Sequence, residues 1–264
     1  MDRSLLTAAT GMVAQQTNID VISNNLANIN TTAFKKSSAH FTTLFSEVVR
    51  APGSTLKNGR ITPNGVQIGL GTQLDATNKS FKIGSLTNTG NPLDLSIEGD
   101  GFFQVQLPSG QIAFTRDGNF QINGETGEIV TNRGHALYPN VSIGNDVESI
   151  SIAEDGTVSV IRPGNINQSE VVGNIRLVRF VNPAGLIEHS DNLLVQSKAS
   201  GFSIEGTPAD ENFGGLRQGF LEQSNVKVVE EIVNMISSQR AYEANSNVIR
   251  TSDEMLRQAN NMVG

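Results

Sequence analysis

The sequence predicts an α+β fold with long N- and C-terminal helices pairing as a coiled coil, an extended connector and an inserted antiparallel β-domain. Apolar residues recur seven apart at both ends of the chain, at Leu5, Met12, Ile19 and Leu26 and again at Val228, Met235, Tyr242, Ile249 and Leu256. Such a repeat draws one narrow seam along a helix. Between these ends, short alternating runs such as Leu93–Glu98 and Thr157–Ile161 are separated by turn dipeptides including Asp117-Gly118, Asn123-Gly124 and Asp155-Gly156. Frequent turns between short strands mean an antiparallel sheet, and no helical period long enough for a βαβ unit interrupts them. The expected segments are an N-terminal helix (1–34), a connector with a hairpin (35–79), a β-domain (80–224) and a C-terminal helix (225–264).

The first helix is read over residues 3–33, ending near Asn30-Thr31-Thr32, where polar β-branched residues break the stripe. Residues 1–34 carry only Asp2, Arg3 and Asp20 as charged side chains, and amides or hydroxyls stand where Lys and Glu usually dress a solvated face: Gln15, Asn18, Asn24, Asn25, Asn28. Such groups hydrogen-bond to neighbours without the desolvation cost of a buried ion. A helix covered on more than one side, by other chains, is expected. The candidate interface on this helix is Leu5, Met12, Ile19, Ile22, Asn24, Asn25, Leu26, Asn28 and Ile29.

In the connector, Pro52-Gly53, Asn58-Gly59, Pro63-Asn64-Gly65, Gly69 and Gly71 follow one another too closely for a helix, and an extended arm with one or two tight turns results. The second helix begins near Asn225, with Asn225 or Ser224 as its cap and Glu230-Glu231 suiting its dipole. Its candidate interface is Val228, Ile232, Met235, Tyr242, Ile249 and Leu256, with Gln239, Ser246 and Asp253 at the second seam position in later turns. The economical arrangement pairs the two helices, marginally stable alone and ordered when subunits pack together.

Composition excludes several functions. A net charge of −7 and a pI near 5.0 argue against nucleic acid, which calls for a basic face. The absence of cysteine rules out disulfides and thiolate metal sites. Leu5-Leu6 is broken at once by Thr7, Thr10 and Gly11, so the N-terminus is not read as a secretory signal, and no run approaches the ~20 apolar residues of a membrane span. His40, His135 and His189 lack ligand-spaced partners and read as structural; Glu98, Asp100 and Asp117 read as solvated turn carboxylates; Gly69-Leu70-Gly71 is a fragment of a dinucleotide loop without its third glycine or helix. No catalytic constellation, cofactor or metal site is expected.

Four blocks carry a family resemblance. Asp20-Val21-Ile22-Ser23-Asn24-Asn25-Leu26-Ala27-Asn28 resembles the N-terminal signature of bacterial flagellar rod and hook axial proteins. Glu230–Ile236 with Gln239–Ser246 resembles their C-terminal signature, and Glu98–Val105 and Phe114–Phe120 resemble blocks of their β-domain. Ala33-Phe34 stands where many relatives carry Gly-Phe, and Ala244 replaces a larger apolar residue. Phe45–Leu74 is similar to the long connector of distal rod subunits; proximal rod and hook subunits of the same family are the alternative, and a secreted binding module is the alternative of a different class. The resemblance implies a non-enzymatic subunit that polymerises helically with itself into a hollow driveshaft carrying motor torque to the hook. It also implies a place in the periplasm-spanning rod of the basal body. The implied partners are proximal rod proteins, hook protein, P-ring and L-ring proteins, a rod cap and the flagellar type III export apparatus, which exports the chain without signal cleavage; neither nucleic acid nor membrane insertion is implied.

Overall fold

The computed structural model describes residues 2–53, 63–144, 146–163 and 169–263. They form two compact units, one made of the two terminal helices and residues 37–79, the other of residues 28–36 and 80–226.

In the first unit, α1 (Asp2–Ala27) and α2 (Val228–Val263) are accompanied by four strands. Strand β1 (Ser37–Thr43) pairs antiparallel with β4 (Thr72–Lys79), and β2 (Ser46–Arg50) with β3 (Val66–Gly69). A two-stranded ribbon buries little of its own surface, and β2 and β3 are exposed throughout. Support at the other end of the ribbon comes from α1, where Thr72 N–H donates to Thr10 Oγ1 at 3.4 Å. Gly71, at φ +114°, makes that approach possible, since a Cβ there would lie 2.1 Å from Thr10 Oγ1. The turn dipeptide Asn58-Gly59 lies outside the described residues.

Both helix ends differ from the sequence expectation. Helix α1 stops at Ala27, not near residue 33. Asn28 carbonyl accepts the Thr31 N–H at 3.2 Å, Thr31 Oγ1 donates to Asn28 Oδ1 at 3.1 Å, and Ala33 turns left-handed at φ 57°. Asn and Thr offer the backbone alternatives to the helical ladder, and here they prevail. Helix α2 begins at Val228 and is 36 residues long, about 54 Å at the usual rise. Neither expected cap serves it. Asn225 Oδ1 accepts the Lys36 N–H, its Nδ2 donates to the carbonyls of Ser80 and Lys82, and Ser224 Oγ accepts the Val226 N–H.

The second unit is a set of short strands, all paired antiparallel among the described residues. A nine-stranded sheet follows the order β16 (Ile187–Glu188), β17 (Leu194–Val195), β8 (Ile112–Thr115), β7 (Phe102–Gln106), β11 (Ala136–Tyr138), β10 (Ile129–Thr131), β9 (Phe120–Ile122), with β15 (Leu177–Arg179) on β7 and β18 (Ile204–Gly206) on β15. Strands β12 (Ser149–Ile152), β13 (Thr157–Ile161) and β14 (Glu170–Asn174) form a second sheet. Two long-range antiparallel pairs complete the unit, β6 (Leu95–Glu98) with β19 (Gly215–Gln218) and β5 (Leu86–Asn88) with β20 (Phe220–Glu222). Strand β7 is buried on both faces. Phe103 enters the main core with Leu95, Ile97, Phe120, Val158 and Leu177, while Phe102 joins Phe114, Val178 and Phe180 in a smaller aromatic cluster. The rings there meet edge to face, 4.8 Å apart for Phe114 and Phe180.

A buried ion cluster in this unit is centred on Glu222. Glu222 is 1 % exposed; Lys35 Nζ donates to its Oε1 at 2.5 Å, Arg116 Nε to its Oε2 at 3.1 Å, and the Gly84 N–H to Oε1 at 2.9 Å. Arg116 also donates to the carbonyls of Ile97 and Gly99. Burial pulls the Lys35 ammonium below its ordinary value, against the attraction of Glu222. The entering segment, carrying Lys35, and the leaving segment, carrying Glu222, are thus tied to the sheet at Arg116. Asp117 also departs from expectation. It is partly buried rather than solvated, and burial, with a smaller push from Asp94, raises its carboxyl to about 6 against the pull of the Asn119 N–H.

Removing the shared carboxylate leaves two buried cations unpaired. Glu222→Ala should therefore destabilise the β-unit by about 3–5 kcal/mol, read as a lowered denaturant midpoint. Asp117 makes an opposite and pH-dependent contribution. An acid whose pKa is raised on folding favours the native state below its unfolded value near 4, and that advantage disappears as pH rises through about 6. Asp117→Asn should remove this dependence, so the variant gains stability over the parent between about pH 4 and pH 7, measured by parallel unfolding series.

Candidate assembly interface on the terminal helices

Four pairs of residues set how α1 meets α2. Ser4 Oγ lies 3.4 Å from Ser252 Oγ. Gly11 faces Asn245 so closely that a Cβ at Gly11 would stand 2.8 Å from its Nδ2. Asn18 Nδ2 donates to Ser238 Oγ at 2.8 Å, and Asn25 Nδ2 to Glu231 Oε2 at 3.2 Å. Positions rise by seven along α1 and fall by seven along α2, so the helices run antiparallel in a single register. Interleaved on α1 are buried Ala8 and Ile22; interleaved on α2 are Met235, Ile249 and Leu256, each partly buried.

This arrangement overturns the apolar coiled coil expected from sequence. On α1 the contact line runs through Ser4, Gly11, Asn18 and Asn25, one residue away from Leu5, Met12, Ile19 and Leu26, which flank it partly buried. On α2 the second seam position belongs to Glu231, Ser238, Asn245 and Ser252, not to Ile232, Gln239, Ser246 and Asp253. The reason is steric and polar together. Small side chains let helix backbones approach, and amides and hydroxyls facing one another at that distance satisfy each other, whereas Leu or Ile knobs would hold the helices apart.

Asn25 does more than join the helices. Its Nδ2 also donates to the Ser37 carbonyl at 2.8 Å, and its Oδ1 accepts the Ser37 N–H at 2.9 Å. One buried amide therefore fixes α1, the start of β1 and the first turn of α2. The missed residues Ser4, Gly11 and Asn18 had a legible signal: with Asn25 they form a second heptad column, of small and polar type.

The remaining candidates divide by exposure. Ile22 and Asn25 are buried between the helices. Asn28 and Ile29 lie beyond α1, partly buried, and Asn24 is exposed. Val228, Ile232 and Tyr242 are each 40 % exposed or more, and on α2 Val229, Val233 and Ile236 join them on the surface. Helix α1 exposes Leu6 and Val13, each 64 % accessible. These two residues border a groove of about 380 Å³, lined by Ala9, Thr10, Ala14, Thr17, Leu44, Thr72, Gln73 and Leu74 as well. Exposed apolar side chains grouped in this way make a candidate interaction site. Among the described residues no cluster of His, Asp or Glu could hold a metal ion, and no helix is long and apolar enough to cross a membrane.

The terminal helices pair through a polar seam and each keeps apolar surface exposed, and the sequence between them supplies an antiparallel β-unit; these are the features of a protein built to pack against others. Three family models match in order: the flagella basal body rod protein over residues 5–35, the flagellar hook protein FlgE/F/G D1 domain over 96–160, and the flagellar basal body rod FlgEFG protein C-terminal region over 217–262. The chain is 45 % identical to the flagellar basal-body rod protein FlgG of Borreliella burgdorferi over 264 residues, 99 % of each chain. It is 45 % identical to the FlgG of Buchnera aphidicola from Acyrthosiphon pisum, covering 96 % of each, and 39 % identical to that of Bacillus subtilis, covering 99 % of each. The chain belongs to the flagellar rod and hook family, among its basal-body rod proteins, which are structural subunits and not enzymes.

The Asn25 contacts yield a charge-sensitive test. Asn25→Ala should cost the helix unit about 1–3 kcal/mol, the penalty of leaving buried partners unsatisfied. Asn25→Asp should cost more near neutral pH, because a second carboxylate then faces Glu231, and part of that excess should return as pH falls and the introduced carboxylate takes up a proton. Thermal melts by circular dichroism at both pH values, with exchange of the Ser37 amide, measure it.

Proposed function

We propose that this chain is a subunit of the distal flagellar rod, polymerising helically through its terminal helices into a hollow driveshaft that transmits motor torque to the hook. The observation that carries this reading is the apolar surface exposed on both terminal helices, at Leu6 and Val13 on one and Val228, Val229, Ile232, Val233 and Ile236 on the other, in a chain that matches basal-body rod proteins from end to end. Burial of such surface on association is the dominant favourable contribution, and head-to-tail contacts of a single chain generate open helical filaments. The residue set from Leu5 to Ile29 and from Val228 to Leu256 is the region offered for that interface, with the seam residues fixing the shape that presents it.

The distal position is supported by the full-length likeness to the FlgG proteins and by the long connector Phe45–Leu74. In this reading the rod crosses the periplasm and the chain leaves the cytoplasm uncleaved through the flagellar export apparatus. Proximal rod proteins and the hook protein are its axial neighbours, the rod cap sits at its growing end, and the P- and L-ring proteins surround it. The segments 1–34, 35–79, 80–224 and 225–264 divide the labour: helical core, connector between neighbouring subunits, outer β-domain, helical core.

The test is assembly. Purified full-length chain should form sedimentable filaments visible by electron microscopy, and deletion of residues 1–33 and 225–264 should leave a folded β-unit that stays in the supernatant. Filaments from the truncated chain would overturn the terminal-helix mechanism. Loss of residues 46–66 should leave filaments that bend more readily; unchanged stiffness would remove the connector's proposed role.

A further inference from the structure

The two exposed apolar surfaces of the helix unit lie on opposite sides of it. Leu6 and Val13 stand two residues beyond the seam positions Ser4 and Gly11, and Val229, Val233 and Ile236 stand two residues from the seam positions Glu231 and Ser238. Two residues rotate a helix by about 200°, so each surface faces away from the partner helix. They are also displaced along the axis. The register places Gly11, at the middle of the α1 groove, opposite Asn245, while the α2 patch is centred on Ile232. Thirteen residues separate those levels, about 20 Å.

We infer that the occupant of the groove is a second copy of this chain, whose α2 patch at Val229, Val233 and Ile236 seats between Leu6, Val13 and Leu74. The inference rests on the assembly reading given above and names its contact. Size agrees. The patch from Val228 to Ile236 is about 12 Å long and the groove from Leu6 to Thr17 about 16 Å. Chemistry agrees too, since none of the described residues that line the groove is charged and the three seating side chains are aliphatic. In a polar filament every copy holds its α2 antiparallel to its neighbour's α1, which brings Val233 over Val13 and Ile236 toward Leu6.

Because donor patch and acceptor groove are different surfaces on opposite sides, offset along the axis, the contact cannot close on itself as a two-fold dimer. Each copy offers a patch in one direction and a groove in the other, and the contact repeats. An apolar patch with no place to go on its own chain is thus converted into the propagating contact of the filament.

The chain has no cysteine, which allows this contact to be trapped cleanly. The full-length variant V13C/V233C, assembled and then oxidised, should give a ladder of disulfide-linked species well beyond dimer on denaturing gels, because paired Cβ atoms come within about 4 Å. V13C alone and V233C alone should give no ladder, and mixing the two singles should give dimer only. Filaments of normal appearance without cross-linking, or covalent products that stop at dimer in the double variant, would overturn the contact while leaving assembly intact. Strong dimer from V13C alone would show instead that grooves face grooves, and would likewise overturn it. Failure of the parent chain to form filaments at all would overturn the assembly reading and this contact with it. As an independent readout, Val13→Asp and Val233→Lys should each raise the concentration needed for assembly at least tenfold, and the double variant should recover most of that loss.

Discussion

Two helices approach each other only as closely as the bulk on their facing lines permits, and in the helix unit that line is drawn by Ser4, Gly11, Asn18 and Asn25 against Ser252, Asn245, Ser238 and Glu231. A seam of this kind has two consequences. It demands polar complementarity at every layer, because an amide or hydroxyl left unmatched at close range costs more than an apolar contact returns. It also turns larger side chains outward or to the flanks. Leu6, Val13, Val229, Val233 and Ile236 are on the surface because the seam has no room for them. The apolar surface available for association follows from the polar choice made inside.

Such a seam is a weak source of stability and a strong source of register. A slip by one turn would set Asn18 and Asn25 against the wrong partners and leave Glu231 without the amide that donates to it. Hydrophobic seams tolerate slippage far better, as the use of single buried Asn residues to fix coiled-coil register illustrates. For a subunit that must present the same surfaces in every copy, fixed register matters more than a few additional kcal/mol in the isolated chain. The β-unit follows a comparable logic on a smaller scale. Glu222 is buried with Lys35, Arg116 and the Gly84 amide, and so specifies which segments meet there, though an apolar replacement of the whole cluster could be equally stable.

Much of the fold was legible in the sequence. Heptad spacing marked helices at both ends, and alternation with turn dipeptides marked the antiparallel strands between, as with Thr157–Ile161, which is β13. The helix ends were not legible: Asn28 and Thr31 bond to each other instead of extending the helical ladder, and Asn225 is drawn to Lys36, Ser80 and Lys82, which only folding brings near. The coiled coil was misread for a definite reason. Heptad reasoning assigns a seam to the largest apolar residues, whereas close packing selects the smallest, and the column beginning at Ser4 stands one residue before the column beginning at Leu5. Of the candidate interface, Ile22 and Asn25 are buried within one chain, while Val228 and Ile232 stand exposed; periodicity alone cannot distinguish a face turned inward from one turned outward. The partial burial of Asp117 was equally invisible, since a turn dipeptide says nothing about what packs over it.

By itself the sequence determined which stretches are helix and which are short strands, and the family. Spacing of three to four and of two residues are local properties of helix and strand geometry, and family signatures reside in residues, so both survive without coordinates. Tertiary structure decided which of two adjacent heptad columns became the seam, where each helix ended, and which apolar side chains stayed on the surface. The choice of seam depends on distances between segments more than two hundred residues apart, and one residue of rotation about a helix axis reverses what is buried and what is offered to a neighbour.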